Sequence, residues 1–310
     1  MSKKLVSLFL ALAFVFACVP VLAEGGITVT DMAGREVTLA GPAERVVVMM
    51  PADAEILYAI GAKDTIVGIG NNCATQPEIE AMPGIENQTV VDPMYTVNEE
   101  TIRELNPQVI IMTMMYYSED LVNSLTAAGM QVLVTNAQDL EGVYTDIALI
   151  GKVVGKEAGA DALISEMKEK FADIAAKSAS TGLKLYVDES PLQWGLWSAG
   201  KGTYFDDLAE ICGLTNIFSD FEGHQSVSEE QVLERNPDII VTMTMYYGEG
   251  ELPDEEIKNR AGWENISAVK NGAVIYDPTN AVALPGPRLM EVADMLVEWI
   301  TRLEAAEPAA

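Results

Sequence analysis

The chain has 310 residues, 47 acidic against 19 basic side chains, and a formal net charge of −28. That balance excludes nucleic acid as a partner, because gripping a phosphate backbone takes basic surface, and it disfavours anionic membrane faces. The acidity reads as a solvated surface, and the length suits two domains of ordinary size.

Residues 1–23 read as an export signal outside the fold. Lys3 and Lys4 form a short basic region, residues 5–17 are an apolar run too short to span a membrane, and Val21-Leu22-Ala23 suits signal-peptidase cleavage. Their removal takes away two lysines and no acid, so the mature charge is 17 minus 47, or −30. A second processing reading uses Cys18, since Val15-Phe16-Ala17-Cys18 loosely resembles a lipoprotein lipobox. Cleavage after Ala23 is preferred, because Phe16 and a Val19-Pro20 start are unusual in a lipoprotein. Either route puts the protein in the periplasm or at the outer face of the cytoplasmic membrane.

Residues 24–152 alternate strand-like runs (45–50, 66–69, 109–114, 131–135) with helical stretches that include 53–60 and 119–128. That alternation predicts a β/α lobe with a parallel sheet. Residues 153–178 hold one long helical pattern. Over 157–177, Ala158, Ala162, Met167, Phe171, Ile174 and Ala175 recur at helical spacing, with no proline and only Gly159 near the start. A helix of that kind predicts a rigid strut with small interlobe motion, where a Gly/Ser-rich hinge would imply large closure. Residues 179–310 repeat the first style with runs at 184–188, 203–212, 239–243 and 273–277, then a final helix over 289–303 and a frayed tail.

Two distant segments are the same segment. Residues 97–121 and those from 227 onward align at an offset of 130. The identical pairs include Glu99/Glu229, Glu100/Glu230, Asn106/Asn236, Pro107/Pro237, Met115/Met245, Tyr116/Tyr246 and Tyr117/Tyr247. So long a period rules out a solenoid and indicates two lobes of similar build, with a cleft between them for a ligand. In each copy a capped helix begins at Asn98 or at the Ser228/Gln231 capping box and stops at Asn-Pro. A continuous apolar run comes next, 109–112 or 239–241, which reads as a strand buried on both faces. Met-Tyr-Tyr then falls at the strand's carboxyl end, where open α/β sheets bind ligands.

The order and spacing of five stretches carry a resemblance that spans the mature chain. They are RVVVMMPADAE (45–55), the unit at 97–109, LAEICGLTNIF (208–218), the unit at 227–241 and Pro285-Gly286-Pro287-Arg288. Together they resemble the metal-chelate class of ABC-importer substrate-binding proteins, which serves ferric siderophores, vitamin B12 and haem. The resemblance implies two β/α lobes joined by one long helix, with the ligand cleft between them. It implies no enzymatic activity and no intrinsic cofactor, only a transported chelate: a ferric siderophore, a corrinoid or haem. It also implies a monomer that docks on a permease dimer through one glutamate per lobe, and these fall on Glu100 and Glu230. Acids in a helix's first turn also complement its dipole, and Glu99 and Glu229 fit that plainer role equally well. The equivalent placement in both repeats favours docking.

The cleft is expected to be rich in aromatics and thioethers. Tyr116, Tyr117, Tyr246 and Tyr247 come after the paired strands, where neighbouring side chains point to opposite faces and one of each pair should leave the core. Met50, Met94, Tyr95, Trp194 and Trp197 lie on other predicted loops, the tryptophans fitting core or cleft equally well. His224 is the sole histidine and pairs by the repeat offset with Met94. Both residue types ligate haem iron, but the preferred reading is a polar histidine at the cleft rim. Arg288 and Lys201 are the few cations near this cleft. Cys73 falls in a loop within reach of a ligand, Cys212 in a helix end as an inert thiol. No zinc-type cluster, P-loop or serine-triad arrangement is present in the sequence. An exported enzyme acting on a metal chelate through paired carboxylates is the alternative of another class.

Overall fold

A computed structural model describes residues 26–306 apart from 93–96, 247 and 249. The export signal with Cys18, and the expected cleft residues Met94, Tyr95 and Tyr247, therefore lie outside the described residues.

The first lobe is built on a five-stranded sheet. After a hairpin of β1 (Ile27–Thr30) and β2 (Glu36–Leu39) come β3 (Val46–Val48), β4 (Ile66–Ile69), β5 (Thr89–Val90), β6 (Val109–Thr113) and β7 (Gln131–Thr135). The sheet order is β5-β4-β3-β6-β7, with every neighbouring pair parallel. The second lobe contains β8 (Lys184–Asp188), β9 (Trp197–Ala199), β10 (Thr215–Asn216), β11 (His224–Ser226), β12 (Ile239–Thr242) and β13 (Val274–Tyr276). Four of these form a parallel sheet in the order β10-β8-β12-β13, and β9 pairs antiparallel with β11. The expected two-lobe α/β fold is thus what the chain adopts, with both apolar runs on interior strands of their sheets.

The period of two along each strand divides the core. Val46, Val48, Val109, Ile111 and Leu133 point into one cluster, while Val47, Ile110, Val132 and Val134 point into a second on the opposite face. The second sheet splits the same way, Leu185, Val187, Ile239 and Val241 against Tyr186, Ile240 and Val274. One face of each sheet belongs to a single shared cluster, which also takes Leu163, Met167, Phe171 and Ile174 from the linking helix Glu157–Lys177. Full burial of such a side chain contributes about 1.5–3 kcal/mol, so the strut is held by both lobes. Its glycine serves packing: a Cβ on Gly159 would lie 2.8 Å from the carbonyl oxygen of Ile60, so the helix start lies against the first lobe's backbone. Farther along, Lys170 pairs with Asp294 at 2.7 Å on the C-terminal helix Leu289–Ala306.

The repeated helices, Glu99–Leu105 and Glu229–Arg235, start at their expected caps, and Ser228 with Gln231 forms the complete capping box. They end on Asn106 and Asn236 in the left-handed conformation, φ 46° and 47°. Proline next in sequence disfavours a right-handed helical residue there, and asparagine is the non-glycine type that best tolerates the left-handed one. Two antiparallel ribbons, β1–β2 and β9–β11, were not foreseen. The second of them places Trp197 and His224 on paired strands where loops were expected, with Trp197 opposite Ser226.

Candidate functional site

A cavity of about 670 Å³ opens between the lobes, inside the range of about 300–1,000 Å³ usual for ligand sites. Its walls come from segments that leave the carboxyl ends of parallel strands. Met50 and Pro51 come after β3, Asn72 and Gln76 after β4, and Met115 after β6. Facing them, Glu189 and Trp194 come after β8, and Met243, Thr244, Met245 and Tyr246 after β12. The position is the one where parallel α/β sheets open to ligand. Four thioethers, from Met50, Met115, Met243 and Met245, and the rings of Trp194 and Tyr246 give the cavity its apolar character. Met115 and Trp194 are each 74% exposed.

The walls touch across the cleft. Gln76 Nε2 donates to Met245 Sδ at 3.2 Å, and Gln76 Oε1 accepts from Asn280 Nδ2 at 2.7 Å. Beside this contact, Arg288 grips the buried Glu55 of the first lobe through Nε at 2.9 Å and Nη2 at 2.7 Å, while Nη1 donates to the Thr279 carbonyl. Burial raises the Glu55 pKa and Arg288 opposes that rise. Arg288 is absent from the cavity lining. The expectation that it meets ligand is corrected to an interlobe ion pair, because an acid inside the first lobe takes its guanidinium.

Other expected positions shift as well. The strand of the first repeat stops at Thr113 and gives way to a turn, closed by Tyr116 N donating to Thr113 O at 3.0 Å. Strand alternation therefore no longer decides where the tyrosines face. Tyr116 is only 8% exposed, and its hydroxyl donates to the buried Asp92 at 2.6 Å. Asp92 also accepts from the backbone N–H of Asn71, and Asn72 Nδ2 lies 3.5 Å from both the Tyr116 hydroxyl and Met50 Sδ. Tyr116 thus supports the cavity wall from behind, and Met115 is the side chain that reaches the cavity. Tyr117 packs on the first lobe's own core with Arg35 over its ring at 5.5 Å. Trp197 is exposed on β9 without lining the cavity.

His224 also stands outside the lining, but its Nδ1 bonds Glu189 Oε1 at 2.6 Å, and Glu189 is a wall residue. That bond raises the histidine's pKa above its ordinary value. Cys73 is buried in the helix Asn71–Ala74, where desolvation raises its pKa well above the usual thiol range, so the loop position expected for it is corrected. Cys212 is likewise a buried, free thiol. Met50, Trp194 and Tyr246 are the expected residues that line the cavity. Met115, Met243, Met245, Asn72 and Gln76 were missed, although Met115 and Met245 are an identical pair of the repeat and that recurrence marked them.

Under the cavity, Arg260 is 1% exposed at its side chain and bridges Asp188 at 2.7 Å to Glu256 at 2.7 Å. Glu256 forms part of the wall. Burial raises the Asp188 pKa, opposed by Arg260. Among the described residues, no group of three or more His, Cys, Asp or Glu side chains could hold a metal ion, and no helix is long and apolar enough to cross a membrane.

Known proteins share this build. The family model described as periplasmic binding protein matches residues 46–281. An uncharacterized ABC transporter substrate-binding lipoprotein of Bacillus subtilis, YvrC, is 29% identical over 281 residues, 88% of this chain and 85% of that one. A cobalamin-binding protein of Halobacterium salinarum is 26% identical over 277 residues, 86% of this chain and 71% of the other. Among solved structures, one described as a possible iron-binding (periplasmic solute-binding) protein from Staphylococcus epidermidis reaches a TM-score of 0.68 at 27% identity, covering 83% of this chain and 98% of that one. A match that runs from β3 to the loop after β13, and so takes in the walls of the cleft, means that this chain belongs to the periplasmic binding protein family.

Proposed function

We propose that the protein is the extracytoplasmic receptor of an ABC importer, capturing a metal chelate of the ferric-siderophore or corrinoid kind and handing it to the permease. The observation that carries this reading is the interlobe cavity at the carboxyl ends of both sheets, walled by Met50, Met115, Met243, Met245, Trp194 and Tyr246. Polarizable thioethers and broad rings suit a large, partly apolar chelate whose metal is already coordinated. The names of the relatives, a cobalamin-binding protein and a substrate-binding lipoprotein, support the same reading. One copy of the chain supplies both walls, in keeping with a monomeric receptor, and the role is binding without turnover. The strut, anchored on both lobes, keeps closure around the ligand small.

Docking falls to Glu100 and Glu230. Glu99 is held by Ser124 at 2.5 Å and Arg103 at 2.9 Å, and Glu229 by the indole N–H of the buried Trp263 at 3.0 Å. Glu100 and Glu230, one residue on, are exposed in both lobes and form no ion pair among the described residues. That difference favours them as the pair free to meet permease arginines.

Native mass spectrometry of protein purified from its own host should reveal a bound chelate. Titration of the stripped protein with a ferric trihydroxamate and with cyanocobalamin should quench fluorescence, and Trp194→Phe should lose much of that signal. A host-purified protein that carries no chelate, together with no response to either probe, would sink the reading.

A further inference from the structure

Building on the chelate reading, we infer that the cleft selects its ligand by charge: it accepts neutral or cationic chelates and rejects those with free carboxylates or net negative charge. The cavity walls carry three formal charges, Glu189, Glu251 and Glu256, and no lysine or arginine. Three basic side chains close behind them are committed. Arg260 is shared between Asp188 and Glu256, Arg288 is bound to Glu55, and His224 is bound to Glu189. The Asp188–Arg260–Glu256 group sets two carboxyl groups against one guanidinium, and among the described residues Glu251 is partnered by the neutral amide of Asn259. Residues 93–96, 247 and 249 cannot reverse this balance, since their one charged member is Glu249.

Desolvation turns this charge balance into selectivity. An anionic group entering a cleft walled by methionine and tryptophan loses water and finds no cation to replace it. It also feels the wall carboxylates through a medium less polarizable than water, where like charges repel more strongly. Neutral hydrogen-bonding groups such as Asn72 and Gln193 suit amide and hydroxamate oxygens instead. In a ferric trihydroxamate the three ligand charges cancel the metal's, and a corrinoid presents amides around a cationic centre. A ferric tris-catecholate keeps three negative charges, haem has two propionates, and an oxyanion is charged throughout.

The test uses the mature chain and two probe pairs: a neutral ferric trihydroxamate against a ferric tris-catecholate, and cyanocobalamin against haemin. In any pair that binds, the anionic member is expected to bind at least about 100-fold more weakly. The gap should narrow between about 0.05 and about 0.5 M salt, as screening removes the repulsion. Glu251→Lys should narrow it by about tenfold at low salt, and if that variant misfolds, the salt series still decides. An anionic member that binds within about threefold of its neutral counterpart at low salt overturns the charge selection and leaves the chelate reading standing. Failure of all four probes, together with a host-purified protein that carries no chelate, overturns the chelate reading and this inference with it, whereas a host-derived chelate that is anionic overturns the inference alone.

Discussion

The two lobes carry the same helix–Asn–Pro–strand unit and diverge immediately after it. In the first lobe the chain turns after β6, buries Tyr116 against Asp92 and sends Met115 into the cleft. In the second it leaves β12 without a regular turn, and Met243, Thr244, Met245 and Tyr246 all line the cavity. The lobes also differ in some of their buried acids. The second holds Asp188 with Arg260, and the first holds Asp31 with Arg35 and Glu55 with Arg288, but the first also buries Asp53 and Asp146 without a cation among the described residues, Thr135 donating to Asp53 and the backbone N–H of Ala137 to Asp146. Repetition therefore sets the backbone scaffold, and the neighbouring loops decide each side chain's role.

The comparison breaks most completely where the lobes are alike. Replacing both Glu100 and Glu230 by Ala should abolish uptake by whole cells while chelate binding in solution persists. Normal transport by the double variant would return these residues to the plain role of helix-dipole partners. A large effect confined to the second lobe should result from Arg260→Ala. It leaves Asp188 buried beside Tyr186 with its ion pair gone, and costs about 3–5 kcal/mol in urea unfolding. A loss below about 1 kcal/mol would mean that water or a proton replaces the arginine at little cost.

The tyrosines sharpen the contrast at intermediate size. Tyr246→Ala should weaken chelate binding by about 1–3 kcal/mol, as for a central contact residue, with little change in stability. Tyr116→Phe removes only the hydroxyl given to Asp92, so it should lower stability by about 1 kcal/mol and shift Kd far less than Tyr246→Ala. Isothermal titration and thermal melts on both variants separate the two roles. The assignment of Tyr116 to the wall's support fails if its phenylalanine variant loses affinity and keeps its melting temperature.

Sequence alone exposes the scaffold because its signals are local. Apolar runs at 109–112 and 239–241 mark strands covered on both faces, and Asn98, Ser228 and the two Asn-Pro steps mark the helix ends. The cleft is only half legible, since its membership depends on pairings far apart in the chain. Arg288 leaves the cavity because Glu55, 233 residues away, holds it. Tyr116 leaves it because Asp92, on another loop, accepts a hydrogen bond from its hydroxyl. The short ribbons β1–β2 and β9–β11 escape notice because strands of three or four residues carry too little alternation to register.

The last expected effect concerns the acids buried without a cation and is read as a difference between two pH profiles. Burial raises the pKa of Asp53, and burial with the added repulsion of Asp53 raises that of Asp146. Groups with folded pKa values above their unfolded ones favour the folded state fully below the ordinary carboxylate range near pH 4. That contribution is lost as pH rises through the folded values, about 7 and about 8. Asp146→Asn keeps an oxygen to accept from Ala137 and removes the titrating proton. The urea midpoint of the parent protein should therefore fall further between pH 5 and pH 8 than that of the variant. The general repulsion of a strongly acidic chain grows with pH in both proteins and cancels in the difference. Parallel pH profiles would show that the first lobe holds these acids ionised, and with that the contrast between Asp53 and Asp146, kept protonated by burial, and Asp188, held by Arg260, would disappear.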